Sequence, residues 1–208
     1  GGSHGWKGGL LKPEDVNDPS MRARIRSIEA EAWVVIAFGQ KLGPPLLADR
    51  FAMNLHASRL PRWRGAAPIN HAILAGDAVT GNSVITLAER MDAGQVLAQS
   101  RVEIDPLETA GELHDRLAAD GPDLIERVLA DLEAGTLAPV EQDESRVTQA
   151  SKLSRADGWV DFSDTAEACR RRVHGLTPWP GVHVGFEGSE LKLLRVAVES
   201  GGSGAEEG

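Results

Sequence analysis

The sequence predicts an α/β fold in which an open, mostly parallel sheet is followed by the start of a β-rich unit. Three observations carry this reading. Residues 32–38 are a continuous apolar run closed by Gly39, the mark of a strand buried on both faces. Thr109-Ala110-Gly111-Glu112 is a capping box that opens a long amphipathic stretch to about Ala134, where Gly135 stops it. Between these two features strand-like and helix-like segments alternate, as they do in a sheet covered by helices.

The elements follow in order. Asp18-Pro19 opens a helix over 20–28, because proline suits the first helical turn and apolar positions recur there at helical spacing. After the apolar strand come a short helix at 45–49 and a second strand at 51–55. Residues 66–75 read as a helix stopped by Gly76. Two strand-like segments, 83–88 and 96–102, precede the long capped helix. From about Gln149 the texture changes to a loop, a short helix at 166–174, the turn Thr177-Pro178-Trp179-Pro180-Gly181, and short alternating strands at 182–186 and 191–198. The small residues at 1–9 and 199–208 read as flexible ends.

Composition narrows the function. The 208 residues carry 22 Lys and Arg against 31 Asp and Glu, a net charge of −9. That excludes a generic cationic coat for nucleic acid and leaves only local basic patches. Cys169 is the single cysteine, which excludes an internal disulfide framework and argues against a structural zinc site. No apolar run reaches the roughly 18–20 residues of a membrane helix. The expectation is a soluble, reduced, cytoplasmic enzyme or binding domain with no membrane partner.

Chemistry concentrates after the second strand. Side chains alternate along a strand, so Asn54 and His56 share one face at its carboxyl end, where open α/β sheets bind ligands. An asparagine amide and a protonated imidazole are both donors suited to a carbonyl oxygen. A turn-capping Asn54 beside a satisfied loop histidine accounts for the same two residues equally well. Asp92, in Met91-Asp92-Ala93-Gly94, is either a turn former or a carboxylate that holds the imidazole charged and oriented. Arg59, Arg62 and Arg64 around Trp63 offer a phosphate or base contact, or simply a solvated loop. Arg170, Arg171 and Arg172 form a second basic group of the same ambiguity, and Cys169 beside them reads as a buried small hydrophobe.

The stretch from Asn54 to Ile69, with Asn54-Leu55-His56, Ser58-Arg59-Leu60-Pro61 and Arg62-Trp63-Arg64-Gly65-Ala66-Ala67-Pro68-Ile69, resembles the signature of the folate-dependent formyltransferases. Within that family it is most similar to the branch that acts on methionyl-tRNA. Gly76-Asp77, Thr80-Gly81, Met91-Asp92-Ala93-Gly94, Glu108 to Leu113, Lys152-Leu153, Asp157-Gly158 and Pro178-Trp179-Pro180-Gly181 extend the resemblance over most of the chain.

The resemblance implies a Rossmann-like formyltransferase domain over 10–152, including a linker, and the beginning of a C-terminal tRNA-binding domain over 153–198. It further implies that the family's first strand, the helix after it and the following strand have no counterpart before Trp6. By the same resemblance Asn54, His56 and Asp92 are the catalytic trio. Ser58, Arg59, Leu60 and Pro61 contact the folate, with Arg59 standing where the family usually has leucine. The formyl donor would be 10-formyltetrahydrofolate, the acceptor initiator methionyl-tRNA, and the enzyme a monomer that needs neither a metal nor a covalent intermediate. Two other readings stay open: another folate-dependent formyltransferase or hydrolase, and an inactive folate-binding remnant.

Overall fold

The structure, a computed structural model, describes residues 9–199. The flexible ends expected at 1–9 and 199–208 lie outside the described residues, apart from Gly9 and Glu199. The chain opens with α1 (Pro19–Arg26), whose first turn is closed by the Asp18 carboxylate accepting from the Ser20 and Met21 amides. It continues through β1 (Ala32–Ile36), α2 (Pro44–Leu47), β2 (Phe51–His56), β3 (Arg64–Gly65), α3 (Pro68–Ala75), β4 (Val79–Thr80), β5 (Ser83–Thr86), β6 (Val96–Gln99) and β7 (Val102–Glu103). Then come α4 (Ala110–Ala134), β8 (Gln149–Ala150), α5 (Ala166–Gly175), β9 (Val182–Phe186) and β10 (Ser189–Leu193).

The α/β class expected from the sequence holds, and the central sheet runs in the order β1-β2-β5-β6. β1 lies parallel to β2, whereas β5 is antiparallel to β2 and β6 antiparallel to β5. The β5–β6 direction follows from their short connection, since only a crossover of a dozen or more residues returns a strand parallel. Three two-stranded pairs accompany the sheet: β4 with β7, β9 with β10, both antiparallel, and β3 with β8, parallel.

α4 covers one face. The Thr109 hydroxyl accepts from the Glu112 amide and the Glu112 carboxylate from the Thr109 amide, as the capping box requires. Gly135 ends the helix in the left-handed conformation. Leu124 and Val128 of this helix form a buried cluster with Met53 and Val84 of the sheet. The backbones come close at Gly121, where a Cβ would stand 2.7 Å from Leu55 Cδ2. Because α4 takes the Met53 and Leu55 face of β2, Asn54 points to the opposite face together with His56.

One expectation is corrected. β1 is not buried on both faces: Val34 is 40% exposed and Ile36 55%, and Phe38 just beyond the strand is exposed as well. Val34 and Ile36 stand beside Met53 and Leu55 in the sheet, on the side α4 covers, but β1 is the edge strand and α4 packs over β2, β5 and β6. A smaller correction concerns Cys169, which is half-buried and directs its thiol to the Asp161 carbonyl at 3.2 Å.

Another buried cluster, Leu153, Val173, Leu176 and Val182, belongs to the later part of the chain, with Ala67 and Leu74 packed against it. Fully buried His174 sits among these residues, its Nε2 accepting from the Val196 amide at 3.2 Å and its Nδ1 without a partner. Burial, reinforced by the Arg170 charge, holds its pKa below the ordinary imidazole value. The unfolded chain therefore binds a proton that folded His174 refuses, so its contribution to stability is complete above about pH 6.5 and lost as pH falls through the depressed value. The thermal midpoint is expected to fall between pH 7 and 5, and His174→Gln, which keeps an acceptor for Val196, to flatten that dependence. A Gln variant with the same pH slope would show that other groups set it.

Candidate functional site

β2 delivers Asn54 and His56 to one face of the sheet, and the chain then enters the loop 57–67 that folds over its end. The loop is tied at many points. The Ser58 hydroxyl donates to the Arg62 carbonyl at 2.6 Å, and the Ser83 hydroxyl donates to the Ser58 carbonyl at 2.6 Å while accepting from the Leu60 amide. The Gln99 amide reaches the Leu60 carbonyl at 2.7 Å.

At the tip, Trp63 adopts φ 64, a left-handed conformation that a bulky residue takes only when held there. Its amide donates to Thr148 Oγ1 at 2.9 Å and its indole N–H to Asp77 at 2.7 Å. Its carbonyl lies 2.8 Å from His56 Nε2.

That contact fixes the proton on one imidazole nitrogen. A carbonyl only accepts, so Nε2 carries a proton and is committed to Trp63. Nδ1 faces the Asp92 carboxylate at 3.6 Å, within ion-pair range and beyond a hydrogen bond. His56 and Asp92 are both largely buried. Asp92 itself is at φ 54 and accepts from the Gly65 amide at 2.9 Å. Nδ1 is thus the nitrogen with an uncommitted direction, and it faces the Asp92 carboxylate. Asn54 lies one residue pair up the same face of β2.

The remaining expected residues divide. Ser58 and Leu60 are buried and serve the loop's own packing, while the exposed Arg59 side chain has no hydrogen bond or ion pair among the described residues. Leu60-Pro61 is a cis peptide. In the two arginine groups, read from the sequence as either nucleic-acid contacts or solvated surface, most side chains are paired within the protein. Arg62 forks onto Asp77 at 2.6 and 2.7 Å and lies over the Trp63 ring; Arg64 is buried against Gln142 and Glu144. Arg170 and Arg171 both bind Glu167, pushing its carboxyl down to about 2, chiefly through the Arg170 hydrogen bond. Arg172 caps the carbonyls of Asp157 and Trp159 and lies over the Trp159 ring.

Sequence reasoning missed the support from residues 140–150. Thr148 holds Trp63, β8 pairs with β3, and Gln142 reaches the turn that carries Asp92. No three His, Cys, Asp or Glu among the described residues are grouped to hold a metal, and no described helix is long and apolar enough to cross a membrane.

An amide and an imidazole on one strand face, with a carboxylate beside the imidazole, suit a carbonyl oxygen that gains negative charge. Fold and site together fit the class of transferases that act on a carbonyl carbon. The chain belongs to the formyl transferase family: that family matches residues 4–129, and its C-terminal domain matches residues 152–208. A methionyl-tRNA formyltransferase of Nitratidesulfovibrio vulgaris is 40% identical over 194 residues, 92% of this chain and 59% of that protein. Two solved structures share the fold: HypX from Aquifex aeolicus in complex with tetrahydrofolic acid, and a sugar N-formyltransferase from Shewanella sp. The first has TM-score 0.69 and 19% identity, covering 81% of this chain and 29% of that one. The second has TM-score 0.71 and 20% identity, covering 89% and 76%. The chain spans between 54% and 60% of the length of the curated relatives it matches.

Proposed function

We propose that this chain carries the catalytic unit that moves a formyl group from 10-formyltetrahydrofolate to the α-amino group of initiator methionyl-tRNA. The observation that carries the reading is the His56 imidazole, locked through Nε2 and open at Nδ1 beside Asp92. The similarity to methionyl-tRNA formyltransferases over nine-tenths of the chain supports the choice of acceptor.

In this reading the free amine attacks the formyl carbon, and the carbonyl electron pair moves onto oxygen. The Asn54 amide and the Nδ1–H of protonated His56 donate to that oxyanion. Asp92 orients the imidazole and, through water, helps carry the proton from the new ammonium to the departing folate nitrogen. The C–N bond to folate breaks as the carbonyl re-forms, leaving formyl-methionyl-tRNA and tetrahydrofolate. Ser58, Arg59, Leu60 and Pro61 would form the folate wall, with Leu60 and Ser58 shaping it from beneath and Arg59 at its rim.

A formylation assay offering methionyl-tRNA beside amino-sugar nucleotides and glycinamide ribonucleotide tests the acceptor. The expected product is formyl-methionyl-tRNA. Formylation of another amine in its place would transfer the reading to a different branch of the family, and a folate-dependent rise in melting temperature without any product would make the chain a folate-binding remnant. Because the Arg59 side chain is exposed and unbonded, Arg59→Leu is expected to change folate affinity by no more than about threefold, measured by calorimetry. A larger loss would place its guanidinium on the ligand.

A further inference from the structure

We propose that Gln142, which lies between the two family-matched regions, is a positioning residue for Asp92; the proposal rests on the catalytic reading of Asp92 given above. The Gln142 amide nitrogen donates to the carbonyls of Asp92 and Gly94, both at 2.8 Å. Its oxygen accepts from Arg64 Nε at 3.0 Å and Nη2 at 2.8 Å. All four hydrogen-bonding positions of the carboxamide are therefore used, and the network itself fixes which end is nitrogen. Arg64 is buried and held in turn by Glu144 at 2.8 Å.

The turn gripped in this way does not hold its shape alone. Asp92 is left-handed at φ 54, and Gly94 sits so close to β5 that a Cβ there would stand 1.7 Å from the Thr86 carbonyl oxygen. A residue in a sparsely populated conformation persists where its surroundings over-determine it. Gln142 holds the Asp92 backbone from one side, and the Gly65 amide holds its carboxylate from the other. The two grips share a part, because Arg64 bonds Gln142 and is followed directly by Gly65. Residues 140–150 thus lock the loop 57–67 against the turn 90–94. Val140 pairs with Val96 at 2.8 and 2.9 Å, and the Arg64 amide donates to the Thr148 carbonyl at 2.9 Å.

A carboxylate in place of the carboxamide separates positioning from packing. Gln142→Glu has the same shape and still accepts from Arg64, but it meets the two carbonyls with no proton to give. Gln142→Met removes the donors without adding charge. The readout is hydrogen exchange of the Gly65 amide by NMR in the full chain, with kcat and KM for formyl transfer measured alongside. Loss of two hydrogen bonds is expected to speed Gly65 exchange by about ten- to a hundredfold, with α4 and β5 amides keeping their rates. The expected kcat falls by a similar factor, with KM for the folate unchanged. Unchanged Gly65 exchange in both variants would overturn the proposal, as would uniform acceleration or unfolding in both, which would make Gln142 a stability residue. Faster Gly65 exchange beside a His56→Ala enzyme of undiminished turnover would support the positioning and remove the catalytic reading instead.

Discussion

His56→Ala is expected to lower formyl transfer by about 10²- to 10⁴-fold while leaving the folate bound. The size follows from the geometry. Nε2 is fixed by the Trp63 carbonyl, so the ring presents Nδ1 and nothing else to a reacting oxygen. Alanine removes that donor. It also leaves the Trp63 carbonyl without its partner, at a cost of about 1–3 kcal/mol, which a thermal melt separates from catalysis. Asp92→Asn is the finer instrument. Its amide oxygen still accepts from the Gly65 N–H, so the turn keeps its shape while the charge facing Nδ1 is gone. Turnover is expected to fall about 10²-fold with the melting temperature little changed. Full activity in His56→Ala would remove the imidazole from the mechanism, and full activity in Asp92→Asn would remove the carboxylate.

The second large effect is structural. Gly65 sits at φ +122, a region closed to residues with a side chain, and a Cβ there would stand 2.4 Å from the Ala150 carbonyl oxygen. That closeness is how β3 meets β8: the Arg64 amide donates to Thr148 and the Ala66 amide to Ala150, at 2.9 and 2.8 Å. Gly65→Ala must push the two strands apart and rotate the amide that holds Asp92. The expected cost is about 3 kcal/mol of stability, read from denaturant unfolding, with loss of nearly all turnover in the protein that remains folded. A stable, active Gly65→Ala protein would mean that residues 140–150 are not a support of the site.

What the sequence showed of this molecule depended on distance along the chain. Thr109 and Glu112 announce the long helix because a capping box is complete within four residues. Asn54 and His56 were placed on one face because period two is a property of the strand itself. The burial of β1 was misread because Val34 and Ile36 are apolar whichever way the sheet's edge is covered, and covering is a tertiary fact. The arginines divide the same way. Glu167 lies three and four residues before Arg170 and Arg171, so those pairs were within reach of helical spacing. Asp77 and Glu144 reach Arg62 and Arg64 from 15 and 80 residues away, and no local pattern reports them. The grip of Gln142 on Asp92 and Gly94 was invisible for the same reason, as was the β3–β8 pair, too short to leave a period.

The proposed mechanism requires Asn54, His56 and Asp92 to face the transferred formyl group. The most direct test is a crystal structure of the chain with 5-formyltetrahydrofolate, a formyl-bearing folate. The folate is expected against residues 58–61, with the Asn54 amide and His56 Nδ1 within about 3–4 Å of the position a transferred formyl oxygen takes. A folate bound elsewhere, or bound with that position turned away from Nδ1, would contradict it.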